Sequence, residues 1–370
     1  MQDKNNLKVL HLVPSLAGGG AEKQLALLAT QLVRLKVEIH LGFVHSGANA
    51  GLALASNATL HTIPRWGNHN PAILVCIIAL IRRIRPHIVQ TWLHQMDILG
   101  GLAAQICRVP QVLSERSSKL AYPDTWKNRS RAWVGRRATA IVANSQGGID
   151  YWTPRIGQET SLHLIRNGLP LADMDEIAPL RPDESGLADD SEIVLFAGRL
   201  NPEKNLFVLV DALDLVLQRH PNAAAILFGE GPLRREIEKR ITRSPFSDRY
   251  HLRGYTQDLW RWIRLARVVV SISCFEGNPN IVLEAMALGC PLVVSDIPQH
   301  REILDDSMAS FCTEGSPLNT ATAISETLAD RGRAAARAEN ARCRVQGWSV
   351  EESALQYLGL YQTLVSNKWQ

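Results

Sequence analysis

The sequence predicts an α/β protein of two doubly wound domains, each a parallel sheet with helices on both faces. Three observations carry that expectation. Short apolar, β-rich runs alternate in regular order with longer amphipathic stretches, the pattern of repeated strand, helix, strand units. The rhythm breaks once, at 169–190, "LPLADMDEIAPLRPDESGLADD", which is rich in Pro and Asp, lacks periodicity and reads as a linker. Finally, 370 residues with 46% apolar content can bury two ordinary cores.

The expected strands of the first half are 7–13, 37–44, 58–63, 87–92, 110–114, 138–144 and 161–165, with amphipathic stretches at 21–35, 72–85 and 95–107. In the second half they are 192–198, 223–231, 251–255, 267–273 and 291–296, and one more helical stretch, 351–367, closes the chain. Parallel sheets of this kind take ligands at the carboxyl ends of their strands, on Gly-rich loops that open into helix N-termini. "PSLAGGGAEKQ" is such a loop after the first strand, where Gly18, Gly19 and Gly20 let a ligand approach the backbone before a helix begins at Ala21. A tight turn without a ligand is the alternative. Lys23 stands where a dinucleotide fingerprint needs its last glycine, and no Gly-Lys-Ser/Thr phosphate loop occurs.

"FEGNPNIVLEAMALGCPLVVSD" at 275–296 sets Glu276 on a loop and Glu284 on the helix after it. Asn278 is the expected N-cap, Pro279 the first helical residue, and Gly289 with Pro291 the stop. Glu276 then lies just ahead of a helix N-terminus, where free N–H groups and the macrodipole favour an anion, and Glu284 lies more than a turn inside. A loop acid and an ordinary helical surface acid would have the same spacing.

Composition excludes several classes. The longest apolar run, 72–81, is too short to cross a bilayer, and the polar N-terminus is unlike a secretory signal. Six scattered cysteines form neither a metal knuckle nor a disulfide framework, so a reduced, cytoplasmic protein is expected. The net charge of +4 is unevenly distributed: residues 1–170 hold 19 Lys and Arg against 8 Asp and Glu (+11), leaving 21 against 28 (−7) for 171–370. Part of the excess is "KNRSRAWVGRR" at 127–137, where Arg129, Arg131, Arg136 and Arg137 stand near Trp126 and Trp133. Such a stretch suits either an anionic membrane surface or a solvated helix face. No base-reading motif accompanies it, so no nucleic-acid partner is expected.

"FAGRLNPEKN" (196–205), "LFGEGP" (227–232) and the Glu, seven residues, Glu pattern of Glu276 and Glu284 together resemble the retaining glycosyltransferases of family 4. In the first half, "GGGAEKQLALLA", "TWLHQMD", "VANSQGG" and "IRNGL" are similar to other motifs of that family. "NGLPLADM" at 167–174 departs from its usual Asn-Gly-Val-Asp. The resemblance implies a GT-B fold of two Rossmann-like domains facing across a cleft. It places an acceptor-binding domain at 1–172, with 351–370 packing back on it, and a donor-binding domain at 173–350. It also implies a catalytic set of His94, Glu276, Arg199 and Lys204. The implied donor-binding set is Gly19, Gly20, Arg199, Lys204, Gly229, Gly277, Asn278, Asn280, Ile281 and Glu284, with Glu276 on the sugar and Glu284 on the ribose.

The implied substrate is a nucleotide-diphosphate sugar, UDP-linked, with a glycan or lipid-linked acceptor and no further cofactor. Loss of a diphosphate needs cations and N–H donors at the leaving group, which Arg199, Lys204 and the helix N-terminus would supply. No Asp-x-Asp pair stands directly after an expected strand, so metal-independent transfer is expected. Two other readings use the same fold: a sugar-nucleotide epimerase, whose acid/base motifs are not found, and a non-catalytic nucleotide-sugar-binding subunit.

Overall fold

The computed structural model describes residues 7–64, 72–188 and 190–367 and divides into two compact units, 1–168 with 348–370, and 169–347. Asp189 and the last three residues of the expected terminal segment lie outside the described residues.

In the first unit the order is β1 Lys8–Ser15, α1 Gly20–Arg34, β2 Glu38–His45, α2 Ala50–Ala55, β3 Thr59–Thr62, α3 Ala72–Ile84, β4 Ile88–Trp92 and α4 Leu93–Cys107. It continues through β5 Gln111–Glu115, α5 Trp126–Gly135, β6 Ala140–Ala143, α6 Gln146–Trp152 and β7 Ser161–Leu164. The strands form one parallel sheet in the order β3-β2-β1-β4-β5-β6-β7.

The second unit runs α7 Leu171–Glu176, α8 Pro182–Ser185, β8 Glu192–Ala197, α9 Leu206–Arg219, β9 Ala223–Phe228, α10 Arg234–Thr242, β10 Tyr250–Arg253, α11 Leu259–Leu265 and β11 Val268–Ser271. Then come α12 Asn280–Ala287, β12 Leu292–Ser295, α13 Pro298–Arg301, β13 Ser310–Cys312, α14 Pro317–Ala329 and α15 Arg331–Val345. Its sheet, also parallel, has the order β10-β9-β8-β11-β12-β13. The last helix, α16 Val350–Asn367, belongs to the first unit. Its buried stripe of Ala354, Tyr357, Leu360, Tyr361 and Leu364 joins the core formed by β1, α1 and β4, and Gln31 Nε2 donates to Glu351 at 2.9 Å.

Three sequence expectations change. The stretch 169–190 is not an unstructured linker. It contains α7 and α8, buries Met174 and Leu180, and is tied to α11 by Arg264 donating to the Met174 carbonyl at 2.9 Å and Arg261 to Glu184 at 2.6 Å. Its apolar anchors are too sparse to leave a period. Strand β13 was not expected, because three residues give no measurable alternation.

The third concerns the basic cluster. Arg131 is not a surface charge: it is 1% exposed, its Nε lies 2.7 Å from Asp97 Oδ2 and its Nη1 2.8 Å from Glu115 Oε2, and its guanidinium stacks over Tyr122 and Trp152. Glu115 also accepts from Tyr122 Oη at 2.6 Å, Trp152 Nε1 at 2.8 Å and the Ser117 N–H at 2.9 Å. Asp97 and Glu115 lie outside the basic stretch, so charge counting within it could not reveal the pairing. Removing one partner of such a network strands the others in a dry site. Arg131→Met is therefore expected to lower unfolding free energy by about 3–5 kcal/mol in urea titrations. A loss under 1 kcal/mol would mean that the network does not brace the first unit.

Candidate functional site

In each sheet the chain starts on an interior strand and builds outward in both directions. The order therefore reverses between β1 and β4 in the first unit and between β8 and β11 in the second. At such a reversal the connections from adjacent strand ends lead away from each other and leave a crevice, the usual ligand site of open α/β sheets. All the candidate residues except Gly229, which follows β9, stand at these two reversals.

In the second unit, "NPEKN" leaves β8 through a 3-10 turn, Pro202–Lys204, closed by Asn205 in the left-handed region at φ 55, which Asn adopts with less strain than most residues. The loop after β11 is tied to this turn, since the Cys274 N–H donates to the Glu203 carbonyl at 2.8 Å. Lys204 Nζ forms an ion pair with Glu276, and Ser273 Oγ donates to Glu276 Oε1 at 2.7 Å. The two charged side chains are only 16% and 13% exposed. Burial alone would push the Glu276 carboxyl up, but the Lys204 ammonium and the hydrogen bonds from Lys204 and Ser273 outweigh it and hold the group below the usual range.

Helix α12 begins one residue later than expected, at Asn280, with Pro279 as its N-cap and no side-chain cap. Asn278, buried, is not the cap. Pro279 at φ −75 and ψ 103 has not yet turned helical, and Asn280 has. Gly277 is buried with Asn278, Ile281 is half-buried in the first turn, and Glu284 is 4% exposed in the second. Gly289 closes the helix at φ 67 as expected.

Gly229 stands where β9 ends, at φ 142, and a Cβ there would lie 1.9 Å from the Gly198 carbonyl at the end of β8. The close approach of these two strand ends is thus its local reason. Arg199 is on the same loop as Lys204 but is exposed and makes no ion pair among the described residues. The structure joins Lys204 to Glu276 and leaves Arg199 apart.

His300 was missed by sequence reasoning. It is fully buried on α13, and Nδ1 lies 2.8 Å from the Ser295 carbonyl. The Ser295 hydroxyl donates to the Ser273 carbonyl at 2.6 Å, so β12 and α13 back the loop that carries Glu276. Burial pushes the His300 pKa below its ordinary value, and Nε2 has no hydrogen-bond partner. Its position just beyond a strand's carboxyl end was the one available signal.

In the first unit, the glycine loop is pinned by Asn49, whose Nδ2 donates to the Ala17 carbonyl at 2.7 Å and the Gly19 carbonyl at 3.2 Å. Gly19 lies close to its own helix: a Cβ there would be 2.3 Å from Glu22 Oε2. Gly20 is exposed as the first residue of α1. At the neighbouring strand end, Leu93 adopts φ 67 between β4 and His94, strain that costs on the order of 1–3 kcal/mol and that clusters at functional sites. His94 is half-buried with Nε2 unpartnered, and burial, aided by the Arg131 charge, lowers its pKa, so the ring is neutral at pH 7. Among the described residues no group of His, Cys, Asp and Glu stands ready to hold a metal, and no helix is long and apolar enough to cross a membrane.

Residues 18–173 match the family described as Glycosyltransferase Family 4, and residues 191–330 the one described as Glycosyl transferases group 1. The chain is 26% identical to the D-inositol 3-phosphate glycosyltransferase of Xylanimonas cellulosilytica, over 96% of this chain and 90% of that one. It is 22% identical to the UDP-Gal:alpha-D-GlcNAc-diphosphoundecaprenol alpha-1,3-galactosyltransferase of Escherichia coli, over 80% of each. Among solved structures, HepE of Anabaena in complex with UDP and glucose superposes with a TM-score of 0.84 at 21% identity, covering 96% of this chain and 100% of that one. The fold is of the GT-B type, with two Rossmann-like domains.

Proposed function

The chain belongs to the group 1, family 4 glycosyltransferases, and we propose that it transfers a sugar, with retention of anomeric configuration, from a UDP-linked donor to a hydroxyl acceptor in cell-surface polysaccharide or lipid-linked glycan synthesis. The observation that carries the reading is the Lys204–Glu276 pair, held at the strand reversal beside the uncapped N-terminus of α12. The nucleotide preference is supported by HepE, crystallised with UDP and glucose, and by the E. coli relative named for UDP-Gal.

In this reading the second domain holds the donor. The bond from the anomeric carbon to the diphosphate oxygen breaks, its electron pair leaves with the diphosphate, and the new negative charge falls on Lys204, Arg199 and the first N–H groups of α12. Glu276, kept ionised by Lys204, takes hydrogen bonds from sugar hydroxyls as the ring gains positive charge. Glu284 takes those of the ribose. The acceptor oxygen attacks the face the diphosphate leaves, and its proton passes to the departing phosphate oxygen, so no protein nucleophile or metal is required. His94, neutral with a free Nε2, binds a sugar hydroxyl rather than a charge.

The first domain takes the acceptor, and the enzyme works in the cytoplasm, in reversible contact with an anionic membrane. The support for contact is α5, where Trp126 and Trp133 are 71% and 50% exposed and Arg137 stacks over Trp133. With Arg131 withdrawn into the core and Arg129 paired with Asp124 at 2.8 Å, Arg136 and Arg137 contribute most, at about 1 kcal/mol each near an anionic leaflet.

Titration with UDP and UDP release from a panel of UDP-sugars test the function. Glu276→Gln is expected to cut transfer while leaving UDP affinity near wild type, and Glu284→Ala to weaken UDP itself by about 1–3 kcal/mol. Equal losses would mean that the two carboxylates do not divide sugar from ribose. For the membrane, co-sedimentation with phosphatidylglycerol vesicles is expected at low salt and should fall when Arg129, Arg136 and Arg137 become glutamine. Indifference to those changes would favour an acceptor met in solution.

A further inference from the structure

The loop that leaves β5 carries a cation whose charge the fold does not balance. Arg116 follows Glu115, and its guanidinium lies 4.6 Å over the ring of Trp92, at the end of the adjacent strand β4. Tyr357 on α16 is a neighbour, but neither its hydroxyl nor Arg116 Nε, both buried, has a hydrogen-bond partner. Arg131, by contrast, sits between two carboxylates. The acid beside Arg116 is already engaged, because Glu115 serves Arg131, Tyr122, Trp152 and the Ser117 N–H. Among the described residues no carboxylate forms an ion pair with Arg116.

A partly desolvated guanidinium without an anion is a standing cost to the fold. Burial lowers its pKa, outweighing the opposing pull of Tyr357 and of Glu115. Two residues on, Ser118 Oγ is a second buried group without a partner. Stacking on Trp92 pins the guanidinium plane, which reduces the ordering cost of a planar, two-point contact with phosphate. The loop also stands at the carboxyl edge of the first sheet, one strand from its reversal.

We propose that the loop Arg116–Ser118 is an anion subsite of the first domain that holds a phosphate or diphosphate group carried by the acceptor. This rests on the transferase reading and adds a substrate class to it: with the donor diphosphate assigned to Lys204 and Arg199 in the second domain, the anion at Arg116 belongs to a phosphorylated acceptor. A lipid diphosphate and a soluble sugar phosphate share that chemistry.

The test is calorimetric titration of the full chain, first saturated with UDP, using pyrophosphate as the probe. Wild type is expected to bind it with an affinity that falls as salt is added. Arg116→Gln should weaken binding by about tenfold or more and Arg116→Lys by less, reflecting loss of the forked contact. Ser118→Ala, which leaves the stacked arginine in place, should weaken it by about threefold and keeps the test open should the arginine variants fail to fold. UDP affinity should stay within about twofold of wild type in all three. Farnesyl diphosphate binding more tightly than pyrophosphate would identify a lipid acceptor, and glucose 1-phosphate binding more tightly a soluble one. The proposal is overturned if UDP-saturated wild type does not bind pyrophosphate, if the variants bind it unchanged, or if UDP affinity falls with Arg116, which would place the arginine at the donor. Failure of wild type to bind UDP would count instead against the transferase reading.

Discussion

A parallel sheet that begins on an interior strand has to reverse its order once, and this constraint places everything else. Helical connections carry β8 through β9 to β10 on one side and β11 through β12 to β13 on the other. The two strands at the break release their chains in opposite senses, which in open α/β sheets leaves a crevice at their carboxyl ends. In the second unit that space receives the Lys204 turn and the Glu276 loop. The first unit repeats the arrangement with the glycine loop and His94.

Polar groups in this chain divide by whether the fold satisfies them. Arg131, Asp97 and Glu115 pair among themselves, with Tyr122 and Trp152 closing the network, and so act as a brace. The Lys204–Glu276 pair is intermediate: each charge has a partner, and the pair lies beyond the carboxyl ends of two interior strands, β8 and β11. Arg116, His94 and His300 each retain a nitrogen with no partner. Native interiors rarely leave such atoms unpaired; these three follow strand carboxyl ends, while Arg264, Arg267 and Ser325 keep unpaired atoms elsewhere.

Much of this was legible in the sequence, because it rests on local pattern. The alternation of strands and helices follows from apolar spacing, and the interval between Glu276 and Glu284, with Gly289 closing the helix, follows from helix chemistry. What escaped depends on distant partners. Arg131 reads as one more basic residue until Asp97, 34 positions back, is seen against it. The helix start moves on by one residue, with Pro279 the N-cap and Asn280 the first helical residue, because capping depends on backbone angles that one residue decides. His300 carries no local signal beyond its strand-end position, and the anchors of 169–190, Met174 and Leu180, are too few to make a period.

In the proposed function Lys204, held by Glu276, binds the diphosphate of the donor. Titrating UDP and uridine in parallel into wild type and Lys204→Met separates the diphosphate from the nucleoside. The variant is expected to bind UDP at least about tenfold more weakly while its affinity for uridine is unchanged. Equal losses for both ligands, or UDP affinity untouched, would contradict it.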